Sequence, residues 1–164
     1  MIQRPRQIDI VIGIDPDVDR NGMAVLDTAT AQYTTIEAVP FPELITALYA
    51  AKSDYRDRSL RVVIEAGWLN RSNWHIKYCD SKAVAAAKGN NAGRNEECGR
   101  KIAEMCRFWQ IPHELIKPLT KVWRGRERKI TAQELQSLTG WTRRTNQEMR
   151  DAALLAWVWA GLPM

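Results

Sequence analysis

The 164-residue sequence holds only three cysteines and two histidines, and no CxxC pair. Cys79, Cys98 and Cys106 follow no framework spacing, and His75 and His113 complete no zinc-binding pattern, which sets aside a disulfide scaffold and a zinc centre. Cys98 and Cys106 lie eight apart on one expected helix face and read as buried thiols. An odd, unpatterned set of thiols suits a reducing compartment. No apolar run approaches a bilayer span, the longest being Ala152 to Leu162. The opening MIQRPRQ lacks the apolar core of a secretory signal. The expected compartment is therefore the cytoplasm, without a membrane partner. Internal repeats and low-complexity segments are also absent, and the length suits one domain over residues 1–164.

Basic residues are in excess. Lys and Arg number 24 against 19 Asp and Glu, for a net charge of +5 and a pI near 9.3. Such a surplus favours a polyanionic partner.

Ile8 to Ile14 is a β-branched run that ends at Asp15-Pro16, and the proline keeps Asp15 out of a helix. Gly22 to Leu26 and Gln32 to Val39 predict two more strands, joined by the turn-prone DTAT. Pro42 opens a helix over residues 43–52, with Leu44, Ile45, Leu48 and Tyr49 at helical spacing. Arg61 to Glu65 predicts a fourth, buried strand. Trp68 to Asn91 shows no clear period and reads as a flexible loop, with a short helix around Ser81 to Lys88. Arg94 to Trp109 follows as a helix whose apolar face is Cys98, Ile102, Met105, Cys106 and Trp109, ended by Pro112. His113 to Lys117 is a further strand. Thr131-Ala-Gln-Glu134 and Thr145-Asn-Gln-Glu148 both match a capping box, placing two final helices. The order predicts a mixed α/β sheet flanked by helices.

Three acids stand where elements begin or end: Asp15 after the first strand, Glu65 at the end of the fourth, and Asp151 early in the last helix. Glu148 lies one turn before Asp151 and shares its face. Such a set of hard oxygen donors suits Mg²⁺, and a pair of cations can position an attacking water and stabilise the leaving oxygen in phosphodiester cleavage. Glu148 fits either of two roles, helix cap or ligand. Asp151 precedes the apolar AALLAWVWA, and Glu65 follows Val-Val-Ile, so each carboxylate needs compensation.

Ile12-Gly-Ile-Asp15-Pro16, Gly22-Met-Ala-Val-Leu26, Val63-Ile-Glu65 and Glu148-Met-Arg-Asp151-Ala-Ala together resemble the RuvC Holliday-junction resolvases of the RNase H-like superfamily in content, order and spacing. The resemblance implies an RNase H-like fold with a mixed five-stranded sheet flanked by helices. It implies a homodimer acting on four-way DNA, with two Mg²⁺ ions per site held by Asp15, Glu65, Glu148 and Asp151, and with Mn²⁺ able to substitute. Trp68 matches the family's aromatic three residues past the fourth-strand acid, which suggests base stacking at the branch. The family's first acid is commonly followed two residues later by glycine, whereas here Asp17 and Asp19 follow, as extra ligands or turn acids. The small size and the unmatched segment Leu69 to Asn95 resemble a phage or plasmid version, so the expected setting is a bacterial or phage-infected cell.

Lys117, Lys121, Arg124, Arg126, Arg128 and Lys129 form the strongest basic cluster, with Trp123 among them. Lys117, Lys121, Arg124 and Lys129 are the leading candidates for phosphate contact, extended by Arg143, Arg144 and Arg150. Of the seven tryptophans, Trp109, Trp157 and Trp159 read as core, while Trp68 and Trp74 read as stacking candidates. Rival readings are a related nuclease acting on RNA:DNA hybrids or flaps, and a non-catalytic junction-binding module. The opening GIDPDVDRNG also resembles the first phosphate loop of actin-like sugar kinases, but the chain is too short for two lobes and lacks a second glycine-rich phosphate loop.

Overall fold

β-Branched residues dominate strand β1 (Ile10–Asp15), and its side chains are buried up to the final aspartate. A computed structural model describes residues 7–70 and 76–164; Trp74 and His75 lie outside the described residues. β2 (Asn21–Asp27) and β3 (Gln32–Val39) run antiparallel to it in turn, as the sequence predicts. The DTAT turn closes on Asp27, whose Oδ1 accepts from the backbone of Ala29 and Thr30. Helix α1 (Phe41–Asp54) then leads to β4 (Leu60–Glu65), parallel to β1, and helix α2 (Lys82–Phe108) leads to β5 (His113–Ile116), parallel to β4. The sheet order is β3-β2-β1-β4-β5. Helices α3 (Ala132–Thr139) and α4 (Gln147–Trp159) close the chain.

Strand alternation sorts the core into two layers. Ile10, Ile12, Ile14, Val62 and Ile64 pack with Leu44, Leu48, Ile102 and Cys106 of α1 and α2. Val11 and Val63 face the other way, toward Ala152, Leu155 and Ala156 of α4. Asp15 and Glu65 continue that second alternation, so both acids emerge on the α4 face.

Two expectations need correction. The short helix expected around Ser81 to Lys88, the loop expected beyond it to Asn91 and the separate helix from Arg94 are one helix of 27 residues, capped by Ser81, whose Oγ accepts from the Val84 amide at 3.2 Å. Its first half is rich in alanine, the strongest helix former. That half is largely exposed, and the first buried residue of the helix is Gly99, so no apolar period advertises it. The second correction concerns α4. Its N-cap is Asn146, whose Oδ1 accepts from the Met149 amide at 3.0 Å, and the Thr145 box does not form. The Thr131 and Glu134 box at α3 does form, in both directions. Of the three thiols, Cys106 is buried, Cys98 half-buried and Cys79 exposed. No helix among the described residues is long and apolar enough to cross a membrane.

Candidate active site

Asp15 terminates β1 and Glu65 terminates the adjacent parallel β4, so two carboxylates leave the same sheet edge on the same face. α4 lies across that face, its first turn over the paired positions Asp15 and Gly22. Two strand glycines make this approach possible. A Cβ at Gly13 would overlap the carbonyl oxygen of Ala152, and one at Gly22 would overlap that of Glu148. The helix backbone therefore rests directly on β1 and β2, which carries Glu148 and Asp151 down to the strand-end acids. Isolated glycines inside strand patterns are the signal that would have revealed this close approach.

The acids sense one another. Burial lifts the Asp15 carboxyl well above the ordinary carboxylate range, and the charges of Glu65, Asp151 and Glu148 lift it further, against a lowering by Lys129. Glu65 is raised by burial and by Asp151, and eased by Lys129 and Lys121. Because Asn146 supplies the cap, Glu148 is released from that duty and faces Asp15 electrostatically. All four acids expected from the sequence are thus brought together at one end of the sheet.

Asp151 is the most firmly held. Gln147 Nε2 donates to its Oδ1 at 2.7 Å, and Lys129 Nζ donates to its Oδ2 at 3.0 Å. As the side chains stand, no group of three or more His, Cys, Asp or Glu among the described residues is arranged to hold a metal ion. A lysine stands among them instead. The donor chemistry nevertheless fits a hard divalent cation: four oxygen-bearing acids, with two pushed toward protonation by burial and mutual repulsion, call for more positive charge than one ammonium provides.

The sequence has no matching family model, and no curated protein matches it. Among solved structures, T. thermophilus RuvC in complex with Holliday junction substrate matches with a TM-score of 0.53, covering 90% of this chain and 90% of that chain at 15% identity. The fold is RNase H-like.

Around the acid cluster the remaining candidates divide. Lys117 is exposed and Lys121 half-buried beyond β5. Burial and the neighbouring Lys129 lower the Lys121 ammonium, while Glu127, Asp151 and Glu65 support it. Arg124, Arg126 and Arg128 project into solvent from a closed turn, in which Trp123 N donates to Arg128 O and Gly125 N to Lys129 O. Lys129 points inward to Asp151, unlike the outward phosphate contact expected of it. Arg150 also turns inward. Its guanidinium donates to Ile130 O, Thr145 O and Gln147 Oε1, tying the start of α4 to the segment before α3, so it does not extend the basic patch. Arg143 and Arg144 are exposed just before α4.

Trp68 sits in a short 3-10 turn over Gly67–Leu69, half-buried against Gly99 of α2, with the Arg100 guanidinium 5.0 Å from its ring centre. One part of the indole is thus committed to packing. Asp17 is a turn acid: its Oδ1 accepts from the amides of Asp19 and Arg20, and Asn95 of α2 clamps the same loop through Val18 N. Gln147, which orients Asp151, was not singled out from sequence, since a glutamine in a first helical turn carries no signal of its own.

Proposed function

We propose that this protein is a divalent-metal-dependent endonuclease of the Holliday junction resolvase type, which hydrolyses phosphodiester bonds in opposed strands of four-way DNA as a homodimer. The observation that carries the reading is the convergence of Asp15 and Glu65, from neighbouring parallel strands, with Glu148 and Asp151 of α4 at one sheet edge. An RNase H-like fold shared with a protein solved on a Holliday junction supports the choice of substrate.

Asp15, Glu65, Glu148 and Asp151 would hold two Mg²⁺ ions, with Mn²⁺ as a substitute. When bound, such ions supply the charge that activates a water and stabilises the leaving oxygen of an in-line displacement. The protein's own part is to present ionised carboxylates on rigid elements. Asp15 and Glu65 are fixed by strand ends, and Asp151 is fixed by Gln147. Lys117, Lys121 and Arg124 would hold the DNA backbone beside the site and help to stabilise negative charge at the reacting phosphate. The exposed part of Trp68 would meet bases at the branch point.

The test is incubation of purified protein with Mg²⁺ and an end-labelled four-way junction, beside linear duplex, flap and RNA:DNA hybrid, with Asp15→Asn as control. Symmetric nicks in opposed junction strands, lost in the variant, are the expected result. Cleavage confined to hybrid or flap would retain the metal site and remove the resolvase assignment; junction binding without cleavage of any substrate would favour a binding module.

A further inference from the structure

Lys129 occupies an unusual position for a side chain in an arginine-rich turn. Its ammonium reaches back into the acid cluster, 3.0 Å from Asp151 Oδ2, with 30% of its side chain exposed and only 17% of that of Asp151. The charges of Asp15 and Glu65 act on it as well. With Gln147 on Oδ1 and Lys129 on Oδ2, both oxygens of Asp151 are engaged. A cation held by Asp151 needs lone pairs from one of them. Gln147 is neutral and can remain, whereas the Lys129 charge becomes repulsive as soon as a divalent ion enters beside it.

We propose that Lys129 is an exchangeable counter-ion, which offsets part of the charge of the acid cluster by pairing with Asp151 in the cation-free protein and transfers to a phosphate of the bound nucleic acid when a divalent cation takes its place beside Asp151. This rests on the metal-site reading above and adds to it a coupling between cation and DNA.

The local backbone suits the exchange. Lys129 closes a turn hydrogen-bonded at Gly125 N to Lys129 O, 2.9 Å, and Trp123 N to Arg128 O, 3.0 Å. At its tip Glu127 and Arg128 hold φ of 55° and 61°. Two successive non-glycine residues in the left-handed region persist only where surrounding contacts fix them. The exchange is therefore a swing of the four-carbon lysine stem on a fixed turn. Arg124, Arg126 and Arg128 are exposed on that turn and would draw a phosphate toward the freed ammonium. By linkage, cation and DNA then strengthen each other's binding.

The experiment titrates Ca²⁺ against the melting temperatures of the wild-type protein, Lys129→Gln and Lys129→Arg, and repeats the affinity for a fluorescent four-way junction with and without Ca²⁺. Lys129→Gln should bind Ca²⁺ about fivefold tighter or more, the lower end of ordinary site-to-site coupling. Lys129→Arg should stay near wild type, and the gain in junction affinity caused by Ca²⁺ should be smaller in Lys129→Gln than in wild type. Equal or weaker Ca²⁺ binding by Lys129→Gln with an unchanged circular dichroism spectrum, or an undiminished junction gain, overturns the counter-ion role alone. A wild-type protein whose melting temperature ignores millimolar Ca²⁺ and Mg²⁺ overturns the metal site, and this inference with it.

Discussion

Gly22 lies directly against the carbonyl group of Glu148, so closely that a single added methyl would overlap that oxygen. The distance between α4 and the sheet, and with it the position of two of the four acids, depends on a hydrogen atom where any other residue has a carbon.

Gly22→Ala should therefore push the first turn of α4 away from β2. Overpacking of this kind costs about 1–3 kcal/mol, and each kcal/mol lowers the melting temperature of a chain this size by roughly 2–4 °C. The variant should also lose most of the stabilisation that Mg²⁺ gives the wild type. A melting curve and Mg²⁺ response like those of wild type would refute the close-approach account.

The crowded carboxylates should make the cation-free protein sensitive to pH in an unusual direction. Asp15 and Glu65 carry folded-state pKa values above their unfolded ones, near 4. The folded state thus binds more protons than the unfolded state between the two values. The contribution of these groups is full below about pH 4 and is lost as pH rises through the raised values. In chelator, Asp15→Asn should consequently melt increasingly above wild type as pH goes from 4 to 8, whereas with Mg²⁺ supplied only the wild type should cleave. Parallel curves across that range would show that Asp15 is not under electrostatic strain.

The corrected cap gives a direct comparison. Asn146→Ala should cost about 1 kcal/mol through loss of the Asn146 Oδ1 bond to the Met149 amide. Thr145→Ala should cost less, since its hydroxyl receives only a 3.3 Å contact from Arg150 Nη1. Chemical denaturation of both variants distinguishes them, and the reverse ranking would restore the box predicted from sequence.

Trp68 has two duties that can be separated. Trp68→Ala removes the indole from Gly99 and Arg100 and should lower stability by roughly 2 kcal/mol, below the 3–5 typical of a fully buried ring. Trp68→Phe should recover most of that stability and retain junction binding. If junction affinity is unchanged even in Trp68→Ala, the residue serves packing alone.

The acids were legible in the sequence because each sits at an element boundary that local signals mark: Pro16 after Asp15, the Val-Val-Ile run before Glu65, and an apolar helix after Asp151. The exposed half of α2 was not legible as part of one helix, because a segment that buries little need not alternate its apolar residues. The two candidate boxes near the C-terminus read alike, and only Thr131 forms one; at α4 the neighbouring Asn146 caps instead.

The sequence by itself determined the order of strands and helices and marked out the four acids as candidates, since periodicity and punctuation are local properties of the chain. Tertiary structure alone decided what surrounds those acids. The inward turn of Lys129 and Arg150, the hold of Gln147 on Asp151 and the contact of Gly22 with Glu148 join residues between helices and strands that local patterns do not relate. Their arrangement follows from burying carboxylates beside a sheet, where every charge requires a partner and every backbone approach requires room.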